Sequence, residues 1–340
     1  MVTVRRALSV LAGFLVAALA LAVLVRVVGT ADVAAALRSA DRVWVGVALL
    51  AAICWMVAWS QTLYLVLAVI GIPRSRRASL LVYLGVLFAN NVAPFSVGGG
   101  EPIAAFLVSR STRTNYETSL LAVVSVDVLN YLPAPLLAVV SLLYVASTVA
   151  LGRRIEVVVG TLLALSASLV VVGVVGWRYR HRVAVTAVRT LVAAQRVTAR
   201  VLPFAVPSVD GLQSRVEAFV VGLERVAADR RVLSVGFASS TLGWLCQALV
   251  LWAALRAVGA VVPVELPVLV VTLVTVSDVV PLPAGLGAVD ATTVVLLVTV
   301  AGVPAAAATA ATLVFRSATL LFSILLGGTT SLALQLTSSG

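Results

Sequence analysis

Residues 90–108 read NNVAPFSVGGGEPIAAFLV, and this stretch decides how the rest of the chain is read. Two prolines, three consecutive glycines and Glu101 interrupt an otherwise apolar run over 79–109. Each arm left on either side is too short to cross a bilayer core, which takes about 20 helical residues. An apolar piece broken in its middle reads as a hairpin that enters the membrane and returns. A second piece, 264–302, is broken in the same way by PLPAGLGAVD at 281–290.

Composition requires a membrane setting. Of the 340 residues, 62% are hydrophobic and 11% charged, and mean hydropathy is +1.16. Soluble domains carry roughly a quarter charged residues. Apolar spans at 8–28, 43–70, 118–149, 155–177, 232–255 and 305–335 give six crossings. The first is longer than a signal-peptide core and reads as an uncleaved span. The expected fold class is an all-α polytopic membrane protein, with six crossing helices plus two re-entrant helical hairpins.

Basic residues set the orientation. All 24 are arginines and the net charge is +11. Arg5 and Arg6, then Arg74, Arg76 and Arg77, then ten arginines against four acids over 178–231 all mark the cytoplasmic side. Both termini then face the cytoplasm of a cell membrane, and the loops at 29–42, 150–154 and 256–263 face outward. Within 178–231, Arg182, Arg189, Arg196 and Arg200 line one helical face opposite Val185, Val188, Leu191 and Val192. Such a helix lies flat in the interface against anionic headgroups, which membrane lipids supply and nucleic acid does not explain. After Pro203 and Pro207, a second amphipathic stretch puts Leu212, Val216, Phe219, Val220 and Leu223 on one side. His181, in RYRHR, reads as a solvated interfacial residue with no acid close in sequence.

Chemistry of an enzyme is not visible. The chain carries no H-E-x-x-H, G-x-S-x-G, C-x-x-C or phosphate-loop pattern, and the GGGE run lacks the lysine of a nucleotide loop. Cys54 and Cys246 fall inside apolar spans without metal-ligand spacing. No cofactor and no metal are expected.

The opening stretch has a counterpart. Pro94, Gly98 and Glu101 fall 189 residues before Pro283, Gly287 and Asp290, so both copies read P-x-x-x-G-x-x-acid. The same offset carries Asp127 onto Arg316 and the span at 43–70 onto that at 232–255. Three crossings separate corresponding points, and an odd number turns the second copy upside down. The reading is two inverted membrane repeats, 1–150 with hairpin 79–109, and 151–340 with hairpin 264–302 and a cytoplasmic amphipathic insertion at 178–231. In transporters built this way, broken helices of both halves meet at a central site near the midplane.

Ionisable residues inside such spans mark polar interior or partners, since a charge at a helix centre costs about 2.5–3.5 kcal/mol on insertion scales. Glu101 and Asp290 head the returning arms, where free backbone N–H groups favour a carboxylate. They either cap their own helices or form a substrate-facing pair. Asp127 and Asn130 share a helix face in SVDVLNYLPAP, which Pro133 and Pro135 then kink. Arg316 lies a third of the way into the last span, where it either pairs with Asp127 between the halves or meets a phosphate. Asn90 and Asn91 stand beside the first turn. The glycines at 98–100 (Gly98, Gly99, Gly100), Gly285 and Gly287, with Pro94 and Pro283, shape the two turns.

The pattern N-N-x-x-P at 90–94, G-G-E-P-I-A-A-F-L at 99–107, D-V-L-N-Y at 127–131 and P-x-G-L-G-x-x-D-A at 283–291 resembles the flippase-like membrane domain of lysylphosphatidylglycerol synthases. The resemblance covers nearly the whole chain and is closest to stand-alone archaeal and bacterial relatives without the soluble aminoacyl-transfer domain. Where the family commonly carries Arg three residues after the first Glu, this chain has Ala104, and the second acid is Asp290 in place of Glu. The all-arginine, Val- and Ala-rich usage also resembles that of high-GC, haloarchaeal chains. The resemblance implies a lipid translocase that moves or binds a phospholipid or a polyprenyl-phosphate-linked headgroup. Two other readings fit the residues: a proton-coupled transporter of a small solute, and a non-transporting membrane partner of a glycosyltransferase or lipid-modifying enzyme.

Overall fold

The computed structural model describes residues 30–92, 100–148, 153–182, 185–186, 209–275, 277 and 287–338, and the regular structure among them is helical. The helices are α1 Thr30–Arg38, α2 Arg42–Val69, α3 Arg76–Val92, α4 Glu101–Thr112, α5 Tyr116–Tyr131, α6 Ala134–Thr148 and α7 Arg153–Arg178. They continue with α8 Val209–Ala228, α9 Arg230–Ala257, α10 Glu265–Val274, α11 Ala288–Thr299, α12 Ala305–Arg316 and α13 Phe322–Ser338. A π-helical segment, Ser317–Leu321, joins α12 to α13.

Four stretches are long and apolar enough to cross a membrane: Arg42–Val69, Tyr116–Val145, Arg230–Ala257 and Ala305–Thr330. They coincide with four of the six spans expected from sequence. The span at 155–177 falls on α7, and the one at 8–28 lies outside the described residues.

Helices α2 and α9 form the centre, each 28 residues long. Asp41 opens α2 by accepting from the Val43 N–H at 2.8 Å, and Asp229 opens α9 by accepting from the N–H groups of Arg231 and Val232, each at 2.9 Å. Each satisfies first-turn donors that the helix itself cannot. The turns after them close on Gly71 and Gly259, at φ 86° and 78°.

The two helices pack antiparallel. Asp41 N–H donates to the Ala257 carbonyl at 2.8 Å at one end. Further along, the Trp59 indole N–H donates to the Ser240 carbonyl at 3.1 Å, and Thr62 Oγ1 lies 3.3 Å from Ser240 Oγ. Gly243 sits directly under the Trp59 ring, where a Cβ would overlap the indole. Small residues and interhelical hydrogen bonds hold helices together in lipid, where apolar burial drives little association.

Element boundaries repeat along the chain. Shifted by 189, residues 42–69 of α2 become 231–258 against 230–257 of α9, and 101–112 of α4 become 290–301 against 288–299 of α11. Likewise 134–148 of α6 become 323–337 against 322–338 of α13. The break between α5 and α6 at Leu132 and Pro133 shifts onto the end of the π-helical segment. Packing repeats too: α3 lies against α13 as α10 lies against α6, and α5 against α8 as α12 against α1.

Helices α3 and α4 pack side by side and share a root. Arg74, just before α3, donates from Nη2 to the carbonyl of Ser111 near the end of α4 at 2.7 Å. At the other end Gly100 abuts Asn90 so closely that a Cβ would overlap the Asn90 backbone. In the second pair, Ser277 beyond α10 donates to Thr292 Oγ1 on α11 at 2.8 Å. The turn residues Pro94, Gly98, Gly99, Pro283 and Gly285 lie outside the described residues.

Two expectations for the basic region change. Helix α8 buries Val220 and Val226, and its Gly222 presses on Leu121 of α5, so this apolar face meets protein and is not left for lipid. His181 does have an acidic partner, 43 residues away in sequence: its Nε2 lies 2.9 Å from Glu224 Oε1, which also accepts from Arg180 Nε at 2.6 Å. Folding of α8 back onto the bundle creates this proximity. The Arg-lined stretch over 187–200 lies outside the described residues.

Gly243→Ala is expected to push α9 off Trp59 and destabilise the fold by about 1–3 kcal/mol, read as a lowered melting temperature in detergent. The Arg180 hydrogen bond, aided by His181, holds the Glu224 carboxyl below the ordinary glutamate value. A depressed folded-state value stabilises above the unfolded value of about 4.3 and is lost as pH falls through the folded one. Glu224→Gln should therefore melt below the parent at neutral pH, with the gap narrowing under about pH 4. A gap constant from pH 7 downward would contradict this assignment.

Candidate functional site

Glu101 and Asp290 occupy equivalent places in the first turns of α4 and α11. Gly287, at φ 85°, aims its N–H at Asp290 Oδ2 at 2.8 Å, so Asp290 caps the start of its own helix. The other carboxylate oxygen, Oδ1, lies 2.9 Å from Arg316 Nε. That N–H points off the line to Oδ1, so the contact is an ion pair without a hydrogen bond between these two atoms. Side-chain exposure is 4% for Asp290 and 17% for Arg316, which makes this a buried pair. Capping and site formation, open alternatives in the sequence, are carried out by one carboxylate.

The first half repeats the arrangement with different chemistry. Glu101 is the electrostatic neighbour of Asp127, the residue equivalent to Arg316. Acid faces arginine in one half, and acid faces acid in the other. The Asp127–Arg316 ion pair suggested by their spacing is therefore not the pair that forms. Helix α11 packs on α12 and brings Asp290 to the guanidinium, while Asp127 on α5 has Glu101 and Tyr83 for neighbours.

Asp127 and Arg316 nonetheless line one cavity of about 190 Å³. Its wall draws on α2, α3, α5, α9, α10, α11, α12 and the π-helical segment, so both halves contribute. Asn90 and Asn91 of α3 also line it. Asn91 Nδ2 donates to Ser323 Oγ at 3.1 Å, whereas Asn90 Oδ1 is buried without a hydrogen-bond partner. Arg316 ends α12 where the backbone slips into the π-helical segment, and Thr319 and Leu320 of that segment reach the cavity. Single π turns inside α-helices are frequent at functional sites, because the slipped register redirects side chains.

Asn130 belongs elsewhere. Its Oδ1 accepts from Ser240 Oγ at 2.9 Å and its carbonyl from Trp244 Nε1 at 2.7 Å, so it ties α5 to α9. Ala104, the position where the family carries Arg, is fully buried.

The aromatic part of the cavity was not singled out in the sequence. Trp55 and Trp59 of α2, Tyr83 of α3, Tyr131 of α5 and Trp244 of α9 all line it. Trp59 lies 5.3 Å from Trp244 and 5.5 Å from Trp55, ring centre to ring centre, and Tyr131 lies 5.8 Å from Trp244. A signal was present: Trp55 shifted by 189 is Trp244.

Residues 10–327 match the family model described as the lysylphosphatidylglycerol synthase TM region. The chain belongs to this family. A "UPF0104 membrane protein" of Methanothermobacter thermautotrophicus is 27% identical over 306 residues, covering 87% of each chain. A second protein of that name from the same organism is 27% identical over 281 residues, covering 80% of this chain and 78% of its own length. The lysylphosphatidylglycerol synthase TM fold is thus present here as a multi-helix membrane protein with an ion pair and a lined cavity inside its bundle.

Removing one member of a buried pair strands the other, at a cost of about 3–5 kcal/mol. Arg316→Ala is expected to show that loss in detergent melting, and the double variant Asp290→Asn/Arg316→Gln to recover most of it. Equal losses in single and double variants would mean that the pair is not what holds α11 to α12.

Proposed function

We propose that this protein is a flippase-like lipid translocase, in which a polar headgroup enters the central cavity while the acyl or isoprenoid tails stay in the bilayer. The observation that carries the reading is that Asp127 and Arg316, equivalent residues of the two halves, open onto one cavity among membrane-spanning helices. Charged groups inside a membrane bundle are costly and concentrate on substrate or ion pathways.

The antiparallel packing of α2 on α9 supports an inverted repeat, since an in-plane two-fold axis makes equivalent helices run in opposite directions. The common root of α3 and α4 at Arg74 and Ser111 supports a re-entrant hairpin at 79–109, and the short α10 and α11 support its counterpart. Both termini are cytoplasmic in this reading, with the arginine-rich region facing anionic headgroups. Translocation needs no covalent chemistry. Arg316 offers a guanidinium to a phosphate in exchange for Asp290, and Asp127 takes hydrogen-bond donors of the headgroup.

The neighbouring acids Glu101 and Asp127 favour one rival, a proton-coupled transporter of a water-soluble solute. Purified protein in liposomes distinguishes the two. Accelerated transbilayer exchange of labelled phospholipid or lipid-linked sugar, reduced at least tenfold by Asp127→Asn, is the expected result. Unchanged lipid exchange together with gradient-driven uptake of a solute would select the rival.

A further inference from the structure

The cavity holds polar groups whose needs differ, and together they define a ligand. Trp55 is 6% exposed, lines the cavity, and its indole N–H has no acceptor. Burying such a donor unpaired costs about 1–3 kcal/mol, so a ligand supplying an oxygen there gains correspondingly. On the same lining, Asn90 Oδ1 lacks a donor and Asp127 presents a carboxylate. One bound group therefore has to accept from Trp55 and donate to Asn90 and Asp127.

An ammonium group fails this requirement, because it has no lone pair for the Trp55 N–H. A phosphate in this part of the cavity fails as well: it accepts from Trp55 but is repelled by Asp127 and cannot donate to it. A hydroxyl does both. Several hydroxyls on a ring, with apolar C–H faces between them, also suit Trp59, Tyr131 and Trp244, which bring aromatic surface to the same cavity. The indole N–H groups of Trp59 and Trp244 are held by Ser240 and Asn130, which fixes those rings in place for packing against a ligand.

We propose that the headgroup bound between Trp55, Asn90 and Asp127 is a neutral polyhydroxylated ring, a glycosyl unit carried on a lipid. This rests on the reading that the cavity takes a lipid headgroup. The arginine lies on the same cavity, so a phosphate linking ring and tail has a place near Arg316 while the ring occupies the aromatic side.

Three amphiphiles with one tail and different heads test this on the full chain in nanodiscs: hexyl glucoside, hexyl phosphate and hexylammonium. Binding is followed by tryptophan fluorescence and by saturation transfer from the protein to head protons. Hexyl glucoside is expected to bind best, with transfer to its ring protons. Trp55→Phe, which keeps an aromatic ring and removes the N–H, should weaken it roughly tenfold and leave hexyl phosphate unchanged. Preference for hexylammonium or hexyl phosphate would overturn the glycosyl assignment while leaving a lipid headgroup in the cavity. Methyl glucoside binding as tightly as hexyl glucoside would keep the ring and overturn the lipid. Absence of binding by all three heads overturns the glycosyl assignment, and the ranking on the parent chain needs no variant to fold.

Discussion

Close approach of α2 and α9 is the constraint on which the rest of the structure depends. In lipid, two apolar helices gain little by touching, because the hydrocarbon around them is as apolar as their own side chains. Contact has to come from shape and from polar groups that prefer each other to no partner. Gly243 provides the shape by admitting the Trp59 ring, and Ser240 provides carbonyl and hydroxyl partners for Trp59, Thr62 and Asn130. The same rings that close this seam form the aromatic wall of the cavity. Packing and ligand space are therefore set by one set of side chains.

Around that seam each half builds the same three parts: a pair of short helices, a broken span and an acid at the start of a returning helix. The halves are also interlocked, since α3 rests on α13 and α10 rests on α6. A ligand entering the cavity thus touches elements that are far apart in sequence but structurally equivalent. The buried Asp290–Arg316 pair fits this arrangement because the α11 start supplies a backbone N–H to the carboxylate as well as the guanidinium. A carboxylate with two kinds of partner tolerates burial better than an ion pair alone.

Much of this was legible from residue order. The class followed from apolar span length, and the repeat followed from spacing between prolines, glycines and acids, because those residues sit where backbone geometry leaves few substitutes. The helix bounds then repeat at the same offset. Side-chain partnership was legible only in part. Arg316 finds Asp290 and not Asp127, and Asn130 turns to α9, because helix rotation and the order of packing decide which neighbour arrives first. His181 meets Glu224 through the fold-back of α8, which no local pattern encodes. The tryptophans read as ordinary membrane aromatics until packing gathered them, although Trp55 and Trp244 shared the repeat spacing from the start.

The sign reversal between Asp127 and Arg316 has a further consequence. Two identical halves facing opposite ways would be degenerate: any shape open to one side of a membrane would have a mirror-related shape of equal energy open to the other. Replacing an acid by an arginine at one of two equivalent positions lifts that degeneracy. The buried charge near the first turn of α4 differs from that near α11, so a motion that wets one does not cost the same as a motion that wets the other. Asymmetry of resting shape is thus written into a single pair of equivalent positions, in a backbone that otherwise repeats itself.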